Sequence, residues 1–224
     1  MIVPETAAAR GGDPGLADGE IVARVRGGEV ALYELLVRRH NRAVYRAARA
    51  LLRDDAEAED AAQEAWVSAY ARLAQFTGAA RFGTWVVAIA LNEARSRLRR
   101  RAVRAAADAI EPERGDAPGP EREVQMREAA ERVERAVDGL PESYREVFVL
   151  RAVEGLATAD AAAALGVSEE VVKTRLHRAR LLLRERLAGA LEASAPEAFP
   201  FLGVRCDRIA ALVMARIARG DAPA

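Results

Sequence analysis

A chain of 224 residues can hold one large domain or two small ones with a real core, and with aromatic residues at only 5% and alanine abundant, helices are predicted rather than long sheets. Formal net charge is +0, which by itself argues against nucleic acid, but residues 95–104 hold six arginines and no acid while residues 54–64 hold six acids and no base, so two surfaces of opposite sign are predicted. Cys206 is the single cysteine and excludes an internal disulfide; with no signal peptide and a longest apolar run of seven residues, Trp85–Leu91, a membrane span is excluded and a cytoplasmic protein is expected.

Residues 1–17, with Pro4, Gly11, Gly12, Pro14 and Gly15, read as a flexible arm. From Asp18 the pattern turns helical. Ile21, Val22, Val25, Leu32, Leu35, Leu36 and Val44 recur at spacings of three and four, and Gly27-Gly28 separates a first helix from a second. The acidic segment from Asp54 through Leu73 is a third helix, with Ala58, Ala61, Ala62, Ala65, Trp66 and Ala69 on its apolar side and Asp60, Gln63 and Glu64 outward. Carboxylates at this spacing suit a helical metal site only with Glu-x-x-His pairs. The only histidines are His40 and His177, so neither a metal nor another cofactor is expected.

Residues 76–104 combine a Gly-containing loop, bearing Phe76, Arg81 and Phe82, with a helix that starts near Thr84 and ends in the arginine cluster. Loop aromatics beside arginines suit a single strand, because unpaired bases stack on rings while cations track the backbone. The competing reading places Phe82 and Trp85 in a core with Val86, Ile89 and Ala90. Residues 105–123 then carry three prolines, two glycines and six acids against two arginines, the composition of a flexible acidic linker and a domain boundary.

A second helical domain is predicted from Val124, with a helix through Val137, a break at Leu140-Pro141 and a helix over Glu142–Arg151. Leu156 to Arg186 then reads as a helix-turn-helix. A short alanine-rich helix ends at Leu165, Gly166 supplies the turn, and Ser168 sits at the N-cap of the next helix. Val172, Leu176, Ala179 and Leu183 form an apolar stripe, opposed by Lys173, His177, Arg180 and Arg184 and widened by Thr174 and Arg178. Five Lys and Arg and no acid between Lys173 and Arg184 suit a helix lying in a major groove between rows of phosphates; the competing reading is a solvated basic face.

The tail, residues 189–224, contains FPFLGVRCDRIAALVMARIARG, an aromatic-Gly loop followed by an amphipathic helix with Ile209, Leu212, Val213 and Ile217 on one side. That stripe needs a partner, so the tail is expected to pack against one of the two domains. Arg205 and Arg208 would favour a thiolate at Cys206, as in a redox sensor; a cysteine packed under a helix is the preferred reading.

These segments, in this order, resemble the extracytoplasmic-function (ECF, group IV) sigma factors over about residues 18–104 and 124–188. The resemblance rests on DAEAEDAAQEAWVSAYARL, on F-x5-F-x2-W-x3-IA-x-N with its arginine run, on LPESYREVFVLRAVEGL, and on a helix-turn-helix ending KTRLHRAR. It implies an all-α protein of two small helical domains, the second containing the helix-turn-helix, that binds core RNA polymerase at its clamp and flap regions. The acidic helix would bind the polymerase through Asp60, Gln63, Glu64 and Trp66. Phe76, Arg81, Phe82, Thr84, Asn92, Arg95, Arg99 and Arg100 would read and melt the minus-ten element. Lys173, Thr174, Arg175, His177, Arg178 and Arg180 would read the duplex minus-thirty-five element. The linker resembles the segment that threads toward the polymerase active site, and an anti-sigma factor is a further candidate partner.

The chain departs from the family pattern at Ala157 and Ala161, where Ser and Ile are usual, at Glu170-Val171, where Gly-Thr is usual, and in its tail. Two other classes compete. A repressor or activator would use the helix-turn-helix but leave residues 54–104 without a role, and an enzyme would need a catalytic set or phosphate loop that the sequence does not contain.

Overall fold

The computed structural model describes residues 15–105, 132–187, 201 and 203–221, and among these every regular element is helical. The arm up to residue 14, the linker from residue 106, the stretch from Val124 to residue 131 and tail residues 188–200 lie outside the described residues. Helix α1 runs Asp18–Arg26 and ends on Gly27, after which Gly28 turns the chain at φ 104° into a short 3-10 segment, Val30–Leu32. Helices α2 (Tyr33–Leu52), α3 (Asp55–Ala71) and α4 (Phe82–Ala105) then pack on one another as a bundle.

The acidic helix starts where its sequence directs. Asp54 Oδ1 accepts a 2.8 Å bond from the Glu57 amide, and Asp55 and Glu57 lie in the first turn, where carboxylates favour the positive end of the helix dipole. Its alanines let α2 and α4 approach closely, and the space between the three helices is filled by Trp66, Tyr33, Leu36, Phe82 and Leu91, all buried.

The second half comprises helical residues 132–138 (α5), α6 (Glu142–Phe148), α7 (Thr158–Leu165) and α8 (Glu169–Leu187). Val133, Val137, Leu140, Phe148, Val149, Ala179 and Leu183 form its core. The helix expected over Glu142–Arg151 is α-helical only to Phe148 and continues as a π-turn over Val149–Val153. Similarly, α4 starts at Phe82, two residues before the expected Thr84, because the Trp85 amide already donates to the Arg81 carbonyl at 3.0 Å.

The helix-turn-helix forms as its residues predict. Gly166 closes α7 in the left-handed region at φ 68°, which glycine adopts without penalty, and Ser168 Oγ accepts a 3.3 Å bond from the Val171 amide to cap α8. Ala157, standing at the cap of α7, has no side-chain oxygen to offer, so that helix starts uncapped. Ser168→Ala is therefore expected to cost about 0.5–2 kcal/mol, read as a lower urea midpoint at constant m-value.

The two halves pack together: α6 lies against α2, and α7 against α4. Arg46 donates to Glu154 at 2.6 Å, and Arg145, buried, donates to the carbonyls of Leu140 at 2.7 Å and Asp138 at 3.1 Å and also reaches that of Ala50 at the end of α2. A last helix, α9 (Gly203–Arg219), lies across α2 and α3. Ile209, Ala210, Val213 and Ile217 form its buried stripe, whereas Leu212, expected on that stripe, is 44% exposed: it follows Ile209 by three residues but falls on the rim of the contact.

Candidate nucleic-acid and partner interfaces

Helix α8 separates its residues cleanly. Val172, Ala179 and Leu183 are buried and Leu176 partly so, while Lys173, Thr174, His177, Arg178, Arg180 and Arg184 are exposed and Arg175 is half-buried. Lys173 lies 3.7 Å from Glu170 in the preceding turn, a wide contact on the surface that costs little to exchange for a phosphate. The result is a basic row along one helix, backed by α6 and α7.

The loop before α4 is built differently from a free stacking platform. Phe82 is 2% exposed, in a ring cluster with Trp66, Trp85, Phe76 and His40; Phe76 meets it edge-on at 5.4 Å and is only half-buried. The core reading is thus right for Phe82, and partly right for the half-buried Trp85. A Cβ on Gly83 would sit 2.7 Å from His40 Nδ1, so only glycine lets this turn approach α2. His40 in turn bonds Asp18 at 2.8 Å, a contact that, with Arg39, holds the Asp18 carboxyl below its ordinary value.

Thr84 is buried and donates to Asp160 of α7 at 3.2 Å, with Arg81, exposed, 3.7 Å from the same carboxylate. Arg95 donates to Glu146 of α6 at 2.7 Å; burial pushes the Glu146 carboxyl above the usual range even with that arginine beside it. Asn92 and Arg99 are exposed, and Arg100 reaches Glu93 at 3.1 Å. A cavity of about 530 Å³ runs along this seam between Asp18, His40, Phe82, Arg81 and Asp160. Thr84 and Arg95 are therefore half of a contact whose acidic partners, Asp160 and Glu146, had no signal in the sequence, because pairing across the two halves follows no local spacing.

On α3, Asp60 is exposed and Gln63 and Glu64 are half-buried. Trp66, expected on the apolar side of this helix and also named by the resemblance among the polymerase-binding residues, lies on the apolar side and is not available as a surface contact. It is fully buried, its Nε1 donates to Asn41 Oδ1 at 3.0 Å, its carbonyl accepts from Tyr33 Oη at 2.8 Å, and its ring meets Tyr33 edge-on at 5.9 Å. Three residues on from Gln63, it lies on the alanine side of the helix. Glu64 accepts a 2.7 Å bond from Arg216 of α9, and Glu59, absent from the predicted set, accepts from Arg205 at 2.6 Å and Arg208 at 2.8 Å. Among the described residues no group of three or more His, Cys, Asp or Glu side chains is placed to hold a metal ion, and no helix is long and apolar enough to cross a membrane.

Comparison with known proteins agrees with this layout. Residues 36–104 match the family model "Sigma-70 region 2" and residues 130–183 match "Sigma-70, region 4". The chain is 36% identical over 181 residues to the ECF RNA polymerase sigma factor SigM of Mycobacterium tuberculosis, an alignment that covers 81% of this chain and 89% of that protein. It is 33% identical over 176 residues to the RNA polymerase sigma factor NccH of Alcaligenes xylosoxydans xylosoxydans, covering 76% and 94%. Among solved structures, CnrH in complex with the cytosolic domain of CnrY is similar at a TM-score of 0.56 and 29% identity, covering 75% of this chain and 95% of that one. With both region models matched in order and relatives aligned over nearly their whole length, the chain belongs to the ECF RNA polymerase sigma factors, which bind core polymerase and direct promoter-specific transcription initiation.

Proposed function

We propose that the three functional surfaces of this sigma factor are α3, the loop and body of α4, and α8. Asp60, Gln63 and Glu64 on α3 dock on the polymerase clamp. Phe76, Arg81, Phe82, Thr84, Asn92, Arg95, Arg99 and Arg100 read and open the minus-ten element, and Lys173, Thr174, Arg175, His177, Arg178 and Arg180 enter the major groove of the minus-thirty-five element. The domains run over 18–104 and 124–188. The chain supplies no catalytic residue, the chemistry being the polymerase's, and it works in the cytoplasm. The observation that carries the reading is the row of exposed cations along α8, held on a buried stripe by a capped helix-turn-helix.

Phe82 and Thr84 are covered by their own neighbours and by α7. Promoter opening therefore needs α7 to leave α4, and a melted base can stack at the loop only after that. This packed arrangement is one that a protein inhibitor would stabilise, and the similarity to CnrH bound to the cytosolic domain of CnrY supports an anti-sigma partner of that kind here.

The test separates polymerase binding from DNA reading. Asp60→Ala/Gln63→Ala is expected to weaken binding to core polymerase about tenfold, the effect of losing one or two interface contacts of ordinary worth, while duplex binding by the minus-thirty-five reader is unchanged. Equal affinity of variant and wild type for core polymerase would remove α3 from the assignment.

A further inference from the structure

Six acids crowd α3 and its cap between Asp54 and Glu64, and α9 engages three of them. Arg205 Nη2 donates to Asp55 at 2.9 Å, Arg205 and Arg208 both donate to Glu59, and Arg216 donates to Glu64. Glu59 is almost wholly covered, its side chain 10% exposed, so these are not all rim contacts screened by water. Between the ion pairs, Ile209, Ala210 and Val213 join the same core as α2 and α3, and Phe201 packs on Tyr45 at a ring distance of 5.3 Å. Cys206 is half-buried in the same contact and accepts from Asn41 Nδ2 at 3.7 Å. The lone cysteine is thus packed between helices, the structural alternative of the two read from the sequence.

A basic amphipathic helix seated on an acidic helix is the chemistry by which α3 would take a partner. We propose that α9 is a built-in competitor for core polymerase: it occupies the acidic face of α3, Glu64 included, and must be displaced before the polymerase can bind there. This rests on the assignment of α3 as the polymerase face. The competition follows from shared residues. Glu64 cannot keep Arg216 and also meet a cation of the partner, and Asp60 and Gln63 lie in the same two turns, so a partner that engages all three competes with α9 at Glu64. Polymerase affinity is then lowered by the fraction of molecules in which α9 is undocked.

The experiment uses the full chain. Arg208→Glu/Arg216→Glu sets like charges against Glu59 and Glu64, and Val213→Asp places a charge in the apolar stripe as a second, independent way to release the helix. Hydrogen exchange of the α9 amides reports release, thermal unfolding reports whether the two domains remain folded, and affinity for purified core polymerase is the readout. Released variants are expected to bind at least about tenfold more tightly than wild type, the gain when a closed state holding nine-tenths of the molecules is removed. A synthetic peptide of residues 201–221, added in trans, should return the affinity to the wild-type level. Unchanged affinity in a variant whose α9 amides exchange freely overturns the proposal, as does continued protection of α9 in both variants. Asp60→Ala/Gln63→Ala in the released background separates the two readings. If it has no effect there, the polymerase-face assignment fails and the masking with it; if it weakens binding while release itself changed nothing, only the masking fails.

Discussion

Trp66→Ala is expected to destabilise the first domain by about 3–5 kcal/mol, the range for deleting a large buried aromatic. The indole is fully buried, touches Tyr33 edge-on, and lies near Phe82 at a ring distance of 6.4 Å, so its removal leaves a cavity that three rigid helices cannot close. It also strips the buried Asn41 carbonyl oxygen of its donor, which adds the cost of an unsatisfied polar group. Against a total stability of about 5–15 kcal/mol for a domain, that loss is enough to populate unfolded chains. The urea midpoint should fall steeply at constant m-value, and Trp66→Phe should retain more stability by refilling most of the space. A shift below about 1 kcal/mol would contradict the core placement and return the indole to the docking surface.

The second large effect is expected on α8. Lys173 and Arg178 are exposed on its polar face, one and a half turns apart, and neither supports the core beneath, so their truncation should leave folding intact. Arg178→Ala and Lys173→Ala are each expected to reduce the salt slope of duplex binding by about one if the lost contact is to phosphate. If it is to a base edge, the cost is about 1–3 kcal/mol with relaxed preference at that position. Measuring affinity for a promoter duplex across a salt series distinguishes the two. Binding by both variants that matches wild type at every salt concentration would show that α8 is an ordinary solvated helix.

Local chemistry explains why so much of the fold was readable. The Gly27-Gly28 break, the Ser168 cap, the Gly166 turn, the stripe of α8 and, except for Leu212, that of α9 each depend on residues within a few positions of one another, and each formed as expected. Burial of the aromatics depends on more than local pattern. Trp66 and Phe82 combine a flat aromatic surface suited to a partner with a size suited to a core; the alanine spacing of α3 already put Trp66 on its apolar side, whereas nothing beside Phe82, between Arg81 and Gly83, separates the two roles. Their burial was decided by the third helix each meets.

The sequence by itself determined the all-helical class, the helix-turn-helix and the family, because propensity, capping and motif order are properties of the chain read along its length. Which charges lie free was decided only in three dimensions. Arg95 is spent on Glu146, Thr84 on Asp160, and Glu59 and Glu64 on the arginines of α9, pairings separated by 51 to 152 residues. Such contacts have no sequence period, since they form wherever packing of apolar faces brings opposite charges together, and the same packing laid the tail across the acidic helix.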